Sequence, residues 1–162
     1  MASTGNNELY KCIPIIKDAF VVIVKTEWNS AIVDKLEAGA ISVFKENNID
    51  YRVLTVPGAV EIPFAINCYQ KEALRKSDAF IAFATVVRGD TPHFDYVCHS
   101  VTDGISALNL QLDVPIIFGV LTVNTEQQAI DRVGGIHGHK GEEAAVAAIK
   151  MIALKESFKE RK

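Results

Sequence analysis

The sequence predicts a doubly wound α/β fold: a four-stranded parallel sheet of order 2-1-3-4 with helices on both faces. From residue 19 onward, short runs rich in β-branched apolar residues alternate with longer stretches whose apolar residues recur every three or four positions, which is the alternation of strands with covering helices. The apolar runs are continuous, as expected of strands buried on both faces. Crossover connections of the usual right-handed kind then place the strands in that order.

Ala19 to Val24 forms the first strand. Trp28-Asn29-Ser30 follows as a turn with a capping residue, and Ile32, Leu36, Ala40, Val43 and Phe44 recur at helical spacing on the first helix. Asp50 to Val56 forms the second strand, closed by Pro57-Gly58. The second helix starts near Glu61, tolerates Pro63 in its first turn, and carries Phe64, Ile66 and Tyr69. Ala79 to Val87 is the third strand, Arg88-Gly-Asp-Thr-Pro92 a loop, and about Phe94 to Leu110 the third helix. Pro115 to Leu121 is the fourth strand. Thr125 opens a short helix, the glycine-rich stretch from Gly134 to Gly141 interrupts, and a last helix runs from Glu142 to about Lys155. Residues 1–18 are an N-terminal arm with no place in the sheet, free to add an edge strand, for instance to a neighbouring subunit. Residues 19–162 form a single flavodoxin-like domain without repeat or linker.

Composition narrows the function. With 49% hydrophobic and 23% charged residues, the chain is neither disordered nor fibrous. A net charge of −3 with scattered Lys and Arg does not supply the clustered basic surface that a phosphate backbone needs, so no nucleic-acid partner is expected. The tail from Lys155 to Lys162 mixes both signs and reads as a solvated helix end. The opening Met1-Ala-Ser-Thr-Gly-Asn-Asn-Glu8 lacks the regions of a signal peptide, and no apolar run reaches the roughly 20 residues that span a bilayer. A cytoplasmic protein with no membrane partner is expected. Cys12, Cys68 and Cys98 are odd in number and far apart, which fits reduced thiols better than disulfides or a thiolate metal site.

Ligands of open parallel sheets bind beyond the carboxyl ends of the strands, so the four loops there carry the candidate chemistry. The first holds Glu27, Trp28 and Asn29; an indole at a strand end serves equally as core cover or as a platform for a flat heterocycle. In the second, Gly58-Ala59 admits close approach to backbone amides and Glu61 can accept hydroxyl hydrogen bonds, although a plain turn with a favourable first-turn charge explains both. The third is the strongest feature. Gly89 frees the backbone, Thr91 offers a hydroxyl, and the helix that follows points its positive end at the ligand, as a phosphate seat requires. His93, at that helix start, reads as a neutral general base or as a helix cap, and His99 as structural. The fourth loop holds Thr122, Asn124 and Thr125. His137 and His139 flank a glycine with no carboxylate or thiolate at ligand spacing, so no metal is expected. Arg132 and Lys140 bracket the glycine-rich segment as anion binders or as solvated cations. Neither a Gly-x-Gly-x-x-Gly fingerprint after the first strand nor a P-loop is present.

Taken as a set, the loops resemble the lumazine synthase family. Val56-Pro-Gly-Ala-Val-Glu-Ile-Pro63, Val86-Val-Arg-Gly-Asp-Thr-Pro-His-Phe-Asp-Tyr-Val-Cys98, Pro115-Ile-Ile-Phe-Gly-Val-Leu-Thr122, Arg132-Val-Gly134 and Gly138-His-Lys-Gly-Glu-Glu-Ala-Ala145 follow the family's order and spacing from about Ala19 to Ala148. The resemblance implies that Trp28 stacks on a pyrimidine ring, that Val86 and Val87 hold its polar edge through the main chain, and that Ala59, Val60 and Glu61 grip a ribityl chain. It further implies that Thr91, Arg132 and the main chain at Asp90 bind a phosphate, that His93 transfers protons, and that Phe118 and Lys140 complete the site. Trp28 stands where bacterial members commonly have Phe, and His139 where many have Asn.

The family's sites lie between subunits of a homopentamer, with Phe118, Arg132 and Lys140 coming from one partner, and some members pack their pentamers into a sixty-subunit capsid. The implied reaction joins 5-amino-6-(D-ribitylamino)uracil to 3,4-dihydroxy-2-butanone 4-phosphate and gives 6,7-dimethyl-8-ribityllumazine, the precursor of riboflavin, without a cofactor. It needs no protein nucleophile, in keeping with the lack of a Ser or Cys constellation. Two rival expectations are an archaeal-type riboflavin synthase, which dismutates the lumazine, and a non-catalytic lumazine- or flavin-binding shell protein.

Overall fold

The computed structural model describes residues 8–159, in which parallel pairing orders β2 (Asp50–Val56), β1 (Phe20–Thr26), β3 (Ala79–Val87) and β4 (Ile116–Val123) as predicted. The central strands are the apolar ones: Phe20 to Val24 and Ala79 to Thr85 are buried without exception. α1 (Ser30–Glu46) and α5 (Lys140–Lys159) cover one face against Val21, Ile23, Ile81 and Phe83. α2 (Ile62–Glu72) and α3 (His93–Gln111) cover the other against Phe20, Val22, Val24, Phe80 and Ala82. Each fully buried Val, Ile or Phe contributes about 1.5–3 kcal/mol, so these two layers dominate the stability of the fold.

Strand lengths depart from expectation where a polar residue hides the pattern. β1 extends two residues past Val24, and its Lys25 is half-buried with an ammonium held by Asp34 at 2.8 Å and by Glu37 of α1. β4 likewise runs through Thr122 and Val123, which pair with Val86 and Val87, so Thr122 belongs to the strand and not to the loop. Pro115 precedes β4, yet its carbonyl accepts the Phe80 N–H at 2.9 Å. On α2, Ile62 and Ile66 form the buried stripe and Tyr69 meets Phe80 edge-on at 5.9 Å, whereas Phe64 lies outside the core at 74% exposure. The expected side-chain cap of α1 is absent: Asn29 occupies the N-cap position but directs its amide elsewhere.

Of the arm assigned to residues 1–18, residues 1–7 lie outside the described residues, as do residues 160–162 of the tail. Residues 8–18 form turns and no strand within this chain. Leu9, Tyr10 and Ile13 pack on the α1/α5 layer, and Lys150 of α5 donates to the carbonyls of Leu9 at 2.6 Å and Lys11 at 3.2 Å.

The glycine-rich interruption is a small antiparallel hairpin, β5 (Val133–Gly135) and β6 (Gly138–His139), preceded by α4 (Glu126–Ile130) with Thr125 as its true side-chain cap. Gly134 at φ 106° and Gly138 at φ 76° make the turn in a region that disfavours any side chain. The hairpin leads straight into α5, whose Gly141 lies against the backbone of Leu36 in α1.

A Cβ at residue 141 would overlap Leu36 backbone atoms. Gly141→Ala is expected to lower stability by about 1–3 kcal/mol through overpacking, read as a drop in the urea midpoint. Gly89→Ala, whose Cβ would meet nothing within 4 Å, is expected to leave the midpoint unchanged.

Candidate active site

β3 outruns β1. Pairing between them stops at Lys25 and Phe83, while β4 follows β3 as far as Val87. One edge of β3 beyond Phe83 therefore has no strand partner, and a cavity of about 570 Å³ opens beside it, between the turns that follow β1 and β2 and the start of α3.

The turn after β1 is held on three sides. Glu27 N–H donates to Val56 O at 2.9 Å and Trp28 N–H to Pro57 O at 3.3 Å, Thr26 Oγ1 donates to Trp28 O at 3.1 Å, and Asn29 Nδ2 donates to Thr85 O at 2.6 Å. Asn29 adopts φ 58°, ψ 36°, a left-handed conformation that Asn tolerates better than most residues. The result presents Trp28 to the cavity at 74% exposure, which fits a stacking platform and not a cover for the core.

The turn after β2 supplies the second wall. Ala59–Glu61 form a short 3-10 turn ahead of α2, with Ala59 buried, Val60 45% exposed and Glu61 at the cavity. Gly58 is extended, and a Cβ there would lie 3.0 Å from Glu61 Oε2, so the missing side chain leaves room for the carboxylate to fold back over the turn.

Val86 and Val87, on the unpartnered stretch of β3, form the back. Gly89, Thr91 and His93 close the third side, His93 being the first residue of α3. Pro92 at the N-cap offers no side-chain cap, which leaves first-turn amides and the positive end of a 19-residue helix for an anion. The glycine at position 89 acts differently from the sequence-based expectation: its φ is not in the left-handed region, and its contribution is open space on the cavity side.

Five lining residues were not expected from the sequence: Thr26, Ala84 and Thr85 at the ends of β1 and β3, and Phe94 and Val97 on α3. On α3 helical spacing carries the signal, since residue 97 lies one turn beyond residue 93 on the same face. Asp90 sits in the same exposed loop without lining the cavity, and His99 is exposed on α3, away from it.

The remaining candidates lie elsewhere. Phe118 is on the edge strand β4, opposite Ala82 and 43% exposed. Arg132 and Lys140 stand together at the β5/β6 hairpin on the α1/α5 side, where Lys140 N–H donates to Arg132 O at 2.8 Å. Arg132 Nη1 donates to Gln128 O at 2.7 Å, and Lys140 Nζ lies 2.8 Å from both carboxylate oxygens of Glu143. No Lys or Arg lines the cavity among the described residues.

The Nδ1 atoms of His137 and His139 are buried without a partner, and the His139 ring packs over Gly39. Among the described residues no group of three or more His, Cys, Asp or Glu is placed to hold a metal ion, and no helix is long and apolar enough to cross a membrane.

The chain is similar to known enzymes over most of its length. The sequence is 46% identical to 6,7-dimethyl-8-ribityllumazine synthase of Phocaeicola vulgatus, with 92% of this chain and 89% of that protein covered. It is 47% identical to the enzyme of Porphyromonas gingivalis, covering 90% and 91%, and 42% identical to that of Christiangramia forsetii, covering 98% of each. Residues 18–156 match the family of those enzymes as a whole. A parallel sheet of order 2-1-3-4, a cavity at its strand ends and this extent of identity lead to one conclusion: the chain belongs to the 6,7-dimethyl-8-ribityllumazine synthase family.

Proposed function

We propose that the chain is a cytoplasmic lumazine synthase that condenses 5-amino-6-(D-ribitylamino)uracil with 3,4-dihydroxy-2-butanone 4-phosphate, releasing phosphate and water. The observation that carries the reading is the convergence of Trp28, Glu61, Val86, Thr91 and His93 on one cavity from three separate strand ends. In this reading Trp28 stacks on the pyrimidine, the main chain of Val86 and Val87 meets its polar edge, and Ala59, Val60 and Glu61 take the ribityl hydroxyls. Thr91 and the loop amides around Asp90 take the phosphate at the start of α3.

An aromatic amine of the pyrimidine attacks the ketone to form an imine, phosphate leaves, and the second amine closes the ring with loss of water. His93 transfers protons in these steps, a contribution of roughly a hundred- to ten-thousandfold. Holding both reactants in register supplies more, since effective molarities are worth about 7–11 kcal/mol.

In this reading the site is shared between subunits of a homopentamer, with Phe118, Arg132 and Lys140 of one copy completing the cavity of the next, whose lining has no Lys or Arg among the described residues. Packing of pentamers into a sixty-subunit capsid is a separate level of assembly, and light scattering distinguishes the two sizes.

Mixing the protein with both substrates is expected to yield the lumazine chromophore and one phosphate per turnover. Riboflavin formed from lumazine alone would argue instead for the dismutating relatives. His93→Ala is expected to lower kcat by about 10²–10⁴-fold while the circular dichroism spectrum and substrate affinity stay near wild type. Loss of the fold in that variant would make His93 a structural cap. Arg132→Ala alone is expected to be nearly inactive. Co-assembly of Arg132→Ala with His93→Ala subunits is expected to restore roughly a quarter of wild-type activity, as random pairing across a shared interface predicts. No recovery on mixing would sink the shared site.

A further inference from the structure

Arg88 opens the loop that carries Thr91 and His93, and it is the cation nearest in sequence to the proposed phosphate seat. Its guanidinium is nonetheless engaged elsewhere. Nη2 donates to Asp95 Oδ1 at 2.9 Å and Nη1 to Asp95 Oδ2 at 3.4 Å, Nε donates to Asn124 Oδ1 at 3.1 Å, and the plane lies 4.0 Å from the centre of the Phe94 ring. Its backbone N–H is fixed by Val123 O at 2.9 Å. Arg88 itself does not line the cavity, whereas Phe94, on which it stacks, does.

Asp95 lies in the first turn of α3, two residues past His93. The fork-to-fork contact therefore closes the segment 88–95 into a ring, with Thr91 and His93 inside it. Hydrogen bonding from Arg88 is the main cause that holds the Asp95 carboxyl below its ordinary range. Both side chains are substantially exposed, at 43% and 51%, and exposed pairs contribute little to stability. Geometry, not stability, is what this arrangement secures.

We propose that Arg88 is a positioning residue: it staples the loop so that Thr91, the loop amides and His93 face the phosphate-bearing substrate, and it is itself withheld from the phosphate. The proposal rests on the lumazine synthase reading above. Lys cannot replace Arg in such a role, because an ammonium has no planar fork to span Asp95 and Asn124 while stacking on an aromatic ring.

The test combines steady-state kinetics with hydrogen exchange of the amides of residues 89–94, in the full-length protein, for Arg88→Met, Arg88→Lys, Asp95→Ala and the Arg88→Met/Asp95→Ala double variant. Each single variant is expected to lower kcat by on the order of ten- to a hundredfold, with little change in melting temperature and faster exchange of the loop amides. The double variant is expected to be no slower than the worse single one, since the two residues act as a unit. Wild-type kcat in Arg88→Lys, or a rise in KM for the phosphate-bearing substrate with kcat intact, would make Arg88 a phosphate ligand and overturn the proposal; losses that multiply in the double variant would overturn it as well. If Arg88→Met does not fold, Asp95→Ala carries the same comparison. If the wild-type protein forms no lumazine, the functional reading fails, while amide exchange, which needs no turnover, still decides whether the staple orders the loop.

Discussion

The structure depends on a difference in strand length. β3 has 9 residues and β1 has 7, and the pairing between them ends at Lys25 and Phe83 while β3 and β4 continue together. Because both central strands are apolar on both faces, helices cover them everywhere except at this step. Phe20–Val24 and Ala79–Ala84 carry no polar side chain, and the candidate site gathers where β3 protrudes. The cavity is the gap that β1 leaves, and the turns after β1 and β2 and the start of α3 are its walls.

Asn29 shows how the step is finished. A helix-capping side chain there would serve α1 alone, yet its amide reaches the carbonyl of Thr85 on the protruding stretch of β3. That bond links the turn carrying Trp28 to the strand carrying Val86 and Val87, the two parts of the proposed pyrimidine slot. Its left-handed backbone puts mild strain into the turn, of the kind that structures retain where orientation matters.

Most of this was legible in the sequence because the relevant signals are long or chemically distinctive. The order of the sheet followed from continuous apolar runs of strand length separated by helical period, and the cavity members Trp28, Glu61, Thr91 and His93 stood in loops at predictable ends of those runs. What was not legible had local causes. The last residues of β1 and β4 are polar or near polar groups, so hydrophobicity ended before pairing did. The β5/β6 hairpin has strands of 3 and 2 residues, too short for an alternating pattern and built largely of glycine. The docking of residues 8–13 on α5 depends on Lys150 reaching two carbonyls more than a hundred positions away, which no local pattern reports. The contributions of Phe94 and Val97 were obscured for the opposite reason: they read as ordinary core positions of an amphipathic helix.

The charges around the cavity carry the argument one step further. Its lining has one carboxylate, Glu61, one imidazole, His93, and no Lys or Arg among the described residues. A phosphate placed there meets a helix end, whose favourable effect is typically 0.3–1 kcal/mol and reaches only about 2 when partly buried. Arg88, the cation best placed in sequence to help, is occupied by Asp95, Asn124 and Phe94. A dianion leaving the strong hydration of water is better compensated where a cation joins the hydroxyls and amides. Arg132 and Lys140 lie close together at the β5/β6 hairpin on the α1/α5 side, where Arg132 Nη1 donates to Gln128 O and Lys140 pairs with Glu143. A single copy thus carries an aromatic and hydroxyl-lined cavity in one place and these two cations in another, and the association of copies proposed above is what would bring the two together. With sites shared as proposed, oligomerisation becomes part of the site's electrostatics, because it supplies positive charge that the lining lacks among the described residues.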